Sequence, residues 1–136
     1  MAFFMTKKKF IVLPTIQHEV RRWLQTLLND CRQDMQFAIQ LSVTEVVQNI
    51  YRYAYKNQDG GAIDIEFSRS DETQTLTITL RDYGEPARPE QFMHKTHRAS
   101  EQGGMGLNLI RQNSASFAIT PLADGNLAEL TFLAPS

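Results

Sequence analysis

From Thr15 onward, apolar residues recur at intervals of three and four: Ile16, Val20, Trp23, Leu24, Leu27 and Leu28. That spacing predicts an amphipathic helix capped by Thr15 and ending near Asn29 and Asp30, with Trp23 as a core residue. Before it, Lys9 to Leu13 is short, apolar and β-branched and stops at Pro14, which predicts an edge strand. A second helix is predicted from about Met35 to Tyr55, where Ile39, Val43, Val46, Ile50 and Ala54 form a stripe; the run from Asn57 to Gly61 breaks it. The period then changes to two. Ile63, Ile65 and Phe67 face one way, Ser70 to Thr73 turns the chain, and Leu76, Ile78 and Leu80 alternate again, a hairpin with one buried face. Glu85 to Gly104 has little periodicity, and a loop of that length in a compact domain is functional or mobile. Met105 to Gln112 reads as a helix opening from glycines. Phe117 and Ile119, a turn at Asp124-Gly125-Asn126 and a strand from about Leu127 to Leu133 close the chain.

The order is strand, two helices, two strands, long loop, helix, two strands. It predicts an α+β fold of two layers, a mostly antiparallel sheet with helices on one face. At 136 residues the chain fits a single domain over 1–136, long enough to bury roughly two thirds of its unfolded surface. With 14 basic and 15 acidic residues and a formal charge of -1, it lacks the global field that draws a protein onto nucleic acid or anionic lipid, and direct binding to either is not expected. Lys7, Lys8 and Lys9 read as a solvated entry to the first strand. One cysteine, Cys31, excludes an internal disulfide framework, suits a reducing compartment and reads as a core thiol at a helix end. The opening residues have the wrong order for a secretory signal and no stretch approaches the roughly 20 apolar residues of a membrane span, so a soluble, cytoplasmic protein is expected.

Three polar groups sit at the joints of this scaffold. Glu45 and Asn49 lie four residues apart on the second helix, about 6 Å of rise, flanking the apolar stripe. From there they can share one ligand or simply support a helix surface. Asp82 ends a strand and is followed by Tyr83 and Gly84. Its carboxylate can accept from an exocyclic amine, with Gly84 admitting a flat ring, or it can close an Asx-turn. The run Gly103-Gly104-Met105-Gly106 opens a helix, where unpaired N–H groups and the helix dipole make a phosphate seat, or else only a turn or cap. His94 and His97 form H-x-x-H, but no further His or Cys lies near, so they read as part of a lid over the site and not as a metal centre.

Together, E-x-x-x-N at Glu45–Asn49, D-x-G at Asp82–Gly84 and G-x-G at Gly104–Gly106 resemble the boxes of the small bacterial anti-sigma factor serine/threonine kinases. These are members of the histidine-kinase-like ATPases, the group that includes gyrase, Hsp90, histidine kinases and MutL. The resemblance extends over nearly the whole chain. It implies the two-layer sandwich of that group with a mixed, mostly antiparallel sheet, and ATP and Mg²⁺ as cofactors. Asn49 would bind the Mg²⁺, Asp82 would hold the adenine amino group, and Gly84 would make room for the ring. Gly104, Met105 and Gly106 would cradle phosphates, and Glu45 would be the general base. The activity implied is that of an anti-sigma factor and serine protein kinase acting in partner switching and transcription regulation. Its partners would be a STAS-domain anti-sigma-factor antagonist and a sigma factor or other target, and a homodimer is expected on the same ground.

The chain departs from the family at Tyr53, where many relatives carry histidine, and at Glu101-Gln102, where some carry a basic residue before the G-x-G turn. The second glycine of D-x-G-x-G is also missing, since Pro86 stands there. Lys95, His97 or Arg98 of the loop are the candidates to replace the missing charge. These departures motivate an alternative, a nucleotide-dependent regulatory binding module without kinase activity. A histidine-kinase catalytic domain is a weaker third reading, because no phosphoacceptor helix pair precedes the motifs.

Overall fold

The computed structural model describes residues 3–88, 110 and 112–133. Strand β1 (Phe3–Ile11) is followed by helices α1 (Ile16–Leu27) and α2 (Gln33–Asn49), a π-helical turn (Ile50–Ala54), and strands β2 (Ala62–Ser70), β3 (Thr75–Asp82), β4 (Ser116–Leu122) and β5 (Gly125–Leu133). The strands form one sheet in the order β1-β2-β3-β5-β4. All four pairings are antiparallel, so among the described residues the sheet is not mixed.

The predicted alternation decides which sheet face is covered. Ile63, Ile65 and Phe67 of β2, Leu76, Ile78 and Leu80 of β3, and Ala128, Leu130 and Phe132 of β5 are all buried. They share one core cluster with Ile16, Val20 and Leu24 of α1 and with Ile39, Val43 and Val46 of α2. Burial of each such Leu, Ile, Val or Phe side chain contributes about 1.5–3 kcal/mol relative to exposure. Trp23 is only partly buried; it meets Phe10 edge-on, with ring centroids 5.6 Å apart. Cys31 lies just past α1, half-buried against the core, where burial pushes its thiol up from its ordinary value.

Three boundaries differ from the sequence expectation. Strand β1 is an edge strand as predicted but begins at Phe3, so Lys7, Lys8 and Lys9 lie inside it, opposite Glu66, Ile65 and Asp64. Exposed lysines on an edge strand oppose further strand addition. Thr15 takes the N-cap position of α1, yet its hydroxyl donates to Glu19 Oε2 at 2.9 Å and does not accept from the helix N–H groups. Finally, the second helix does not remain α-helical to Tyr55. Its last five residues widen into a π turn, and Lys56 and Asn57 then adopt left-handed φ values of 56° and 63° that end it. Single π turns inside helices concentrate at functional sites.

Candidate functional site

The π turn carries the end of α2 against the end of β3. Ala54 places its carbonyl where the Glu85 N–H donates to it at 2.8 Å. A Cβ on Gly84 would overlap that same carbonyl, so the small residue at this position is required first by the Ala54 backbone. Tyr55, one residue on, accepts from the Tyr83 N–H at 2.8 Å and donates to the Ala62 carbonyl at 2.6 Å. One phenol thereby ties the helix end to the end of β3 and the start of β2.

Between these elements lies an open cleft with about 500 Å³ of empty space, its mouth included. Its apolar wall comes from Val46, Ile50 and Ala54 of the helix, Ala87, Ile119 of β4 and Ala128 of β5. Its polar groups are Asn49, Tyr53, Asp82, Glu85 and Asn126. Apolar walls with a few convergent polar groups are the usual make-up of a small-molecule site.

Asp82 is the most sequestered of these groups, 1% exposed at the end of β3. Oδ1 of its carboxylate accepts from the Gly84 N–H at 3.0 Å, so the Asx-turn is present. The same oxygen accepts from Asn126 Nδ2 at 3.1 Å. Burial pushes this carboxyl above its ordinary value, and the bonds from Gly84 and Asn126 pull the other way. Turn-closing and ligand-accepting roles are compatible here. A carboxylate has about four acceptor positions, and Oδ2 makes only a 3.4 Å contact, again with Asn126 Nδ2.

The structure brings Asn49 and Asp82 to one cleft, from the helix and from the sheet. Tyr53 lines it too. Glu45 is half-buried one α-helical turn before Asn49 and is not part of the cleft wall. Tyr83 turns outward, 46% exposed, with its hydroxyl bonded to Asp64 and its ring under the Arg81 guanidinium. Gly104, Met105 and Gly106, the two histidines of H-x-x-H, and Lys95, Arg98, Glu101 and Gln102 lie outside the described residues. Among the described residues no cluster of three His, Cys, Asp or Glu side chains could hold a metal ion. No helix among them is long and apolar enough to cross a membrane.

Asn126 is the residue sequence reasoning read only as part of a turn. It is 5% exposed and both ends of its carboxamide are bonded, because Nδ2 also donates to the Glu85 carbonyl at 3.0 Å and Oδ1 accepts from the Ala87 N–H at 2.7 Å. The turn itself is Ala123-Asp124, and Asn126 already belongs to β5, directly opposite Asp82. A signal was available. The rows Leu76-Ile78-Leu80 and Phe132-Leu130-Ala128, each continued by one step of two, end in Asp82 and Asn126 on the same buried face.

No curated protein sequence matches this chain significantly. Among solved structures, the chain resembles part of the structure of the RsbU and RsbW domains of Rv1364c from Mycobacterium tuberculosis, with a TM-score of 0.70 and 16% identity, over 96% of this chain and 32% of that one. It also resembles the histidine kinase domain of a blue-light activated histidine kinase from Erythrobacter litoralis, with a TM-score of 0.60 and 16% identity, over 94% of this chain and 64% of that one. The catalytic domain of the histidine kinase ThkA matches with a TM-score of 0.54 and 13% identity, over 95% of this chain and 97% of that one. The chain thus spans about a third and just under two thirds of the first two. At such identities these likenesses establish the fold alone. The model of the histidine kinase-like ATPase domain matches residues 11–132, almost the whole chain, and the protein belongs to that family.

Proposed function

We propose that the chain binds ATP with Mg²⁺ in this cleft and, as a serine/threonine protein kinase, phosphorylates a serine of a STAS-type anti-sigma-factor antagonist. In this reading it is also an anti-sigma factor that engages a sigma factor or similar target when that antagonist is phosphorylated. The observation that carries the nucleotide part is a buried carboxylate, Asp82, at the wall of an apolar cleft that Asn49 enters from the opposite element. A flat base with an exocyclic amine satisfies both the apolar walls and the spare acceptor capacity of Oδ2.

The residues present fit both cofactors. Mg²⁺ is held by one or two protein oxygens together with phosphates, so a lone carboxamide such as Asn49 suffices where no cluster of three metal-binding side chains exists among the described residues. When bound, Mg²⁺ neutralises phosphate charge, and phosphoryl transfer then needs positioning more than covalent help. Asn49 orients the ion, Asp82 anchors the base, and Glu45, one turn from Asn49, takes the proton from the attacking serine hydroxyl. Gly104, Met105 and Gly106, which lie outside the described residues, would hold the phosphates in this reading.

Incubation of the pure protein with labelled ATP and its STAS partner tests this. The expected result is transfer to a partner serine by wild type and loss of transfer in Glu45→Gln; equal transfer by both overturns the assignment. Tyr53 in the cleft wall favours a second reading, a nucleotide-dependent binding module without transfer. Calorimetry with partner and ATP, followed by mass measurement, separates the two, because a binding module leaves the partner's mass unchanged. The homodimer expected from the resemblance is checked by light scattering.

A further inference from the structure

Asp82 does not hold its own orientation. The Gly84 N–H fixes only one of its oxygens. The remaining support comes from across the sheet, where Asn126 of β5 stands directly opposite on the same buried face. Its Nδ2 contacts both carboxylate oxygens, at 3.1 and 3.4 Å. The other two bonds of Asn126 fix the sense of its amide, since the Glu85 carbonyl demands a donor and the Ala87 N–H demands an acceptor. No other orientation satisfies both backbone groups and still presents a donor to Asp82.

We propose that Asn126 is a positioning residue for base recognition, holding the Asp82 carboxylate and the 85–87 backbone as one wall of the cleft. It does so as an obligate donor. Both of the shorter bonds to the carboxylate end on Oδ1, which leaves Oδ2 as the oxygen with acceptor capacity for a ligand amine. An aspartate here would turn the donor into an acceptor, abandon the Glu85 carbonyl and set a like charge against Asp82. An alanine would remove the side-chain donor and leave the carboxylate only its backbone donors. The inference rests on the ATP reading for its consequence, the preference for an amino-purine over an oxo-purine, but its geometry stands in the ligand-free protein.

Two measurements on wild type and on Asn126→Ala and Asn126→Asp test it, with thermal melting as the check on folding. Calorimetry with Mg-ATP and Mg-GTP is expected to show ATP affinity reduced about tenfold or more in both variants and GTP affinity changed far less, so that selectivity collapses. An equal loss for both nucleotides would mean a merely structural role and overturns the proposal. NMR titration of the Asp82 carboxyl in ligand-free protein is expected to move to higher pH in Asn126→Ala, because a donor to the ionised form is gone. An unmoved titration also overturns it. If wild type bound neither nucleotide, the ATP reading would fail alone, and the Asp82 titration would still decide whether Asn126 holds that carboxylate.

Discussion

The two polar ends of the cleft are built on opposite physical terms. At the helix end, Asn49 lines the cleft and Glu45 stands one turn before it, outside the wall; both are half-buried on α2, and among the described residues no hydrogen bond or ion pair holds the Glu45 carboxylate. At the sheet end, Asp82 and Asn126 are almost wholly buried and share a network with Gly84, Glu85 and Ala87. A buried polar network is stable only when every member is satisfied, whereas half-exposed groups keep water as a partner until a ligand arrives. In the proposed reading the sheet end is a preformed seat for the base. The helix end is an open station completed by phosphates, metal and protein substrate.

The comparison can be broken most severely at the helix end. Glu45→Gln is expected to lower phosphoryl transfer by about 10²–10⁴-fold, the usual worth of a general base, with ATP affinity and melting temperature nearly unchanged. A parallel loss of ATP binding would show instead that Glu45 belongs to the nucleotide seat.

Asp82→Asn should do the reverse, weakening ATP by about 10–100-fold through loss of a charged acceptor, as read by calorimetry. Its stability effect carries a sign. Because burial raises the folded-state value of this carboxyl, the native protein holds that proton more tightly than the unfolded chain does. The contribution of Asp82 to stability therefore falls as pH rises from the unfolded carboxylate range through the folded value, and above it the ionised group costs stability. The neutral variant escapes that cost, so its melting temperature relative to wild type should be highest near about pH 7 and decline toward about pH 4. A gap that widens on acidification would contradict the burial argument.

Gly84→Ala tests the joint between the two ends. The added methyl meets the Ala54 carbonyl, so denaturant unfolding should show a loss of about 1–3 kcal/mol, and the Glu85 N–H should exchange faster. The smallest effect is expected from Lys56→Ala. Lys56 pairs with Glu85 at 3.2 Å, both side chains at least half exposed, and the pair should contribute less than about 1 kcal/mol. A larger value would mean that the rim shares the sheet end's stability.

Much of this was legible because it follows from period alone. The stripe Ile39, Val43, Val46, Ile50 and Ala54 is buried throughout, and the alternating residues of the hairpin are all in the core. Glu45 and Asn49 keep their one-turn spacing because α2 remains an α-helix through Asn49. The π turn was not legible, since nothing in Ile50 to Ala54 distinguishes it from α-helical sequence. It is accompanied by bonds to distant residues, from the Glu85 N–H to Ala54 and from Tyr55 to Ala62 and Tyr83. The length of β1 was underestimated because Lys7 to Lys9 read as solvent-facing, as they are; an exposed edge accepts them within the ladder.

By itself, then, the sequence determined which stripes turn inward and that Asn49 and Asp82 stand at the ends of elements, because burial against a core imposes a period that can be counted. Only the tertiary structure decided that Gly84 is answered by Ala54 and that Asp82 is held by Asn126, 44 positions further along the chain. Strand order and register set those pairings, and a pairing between distant strands leaves no local trace in either one.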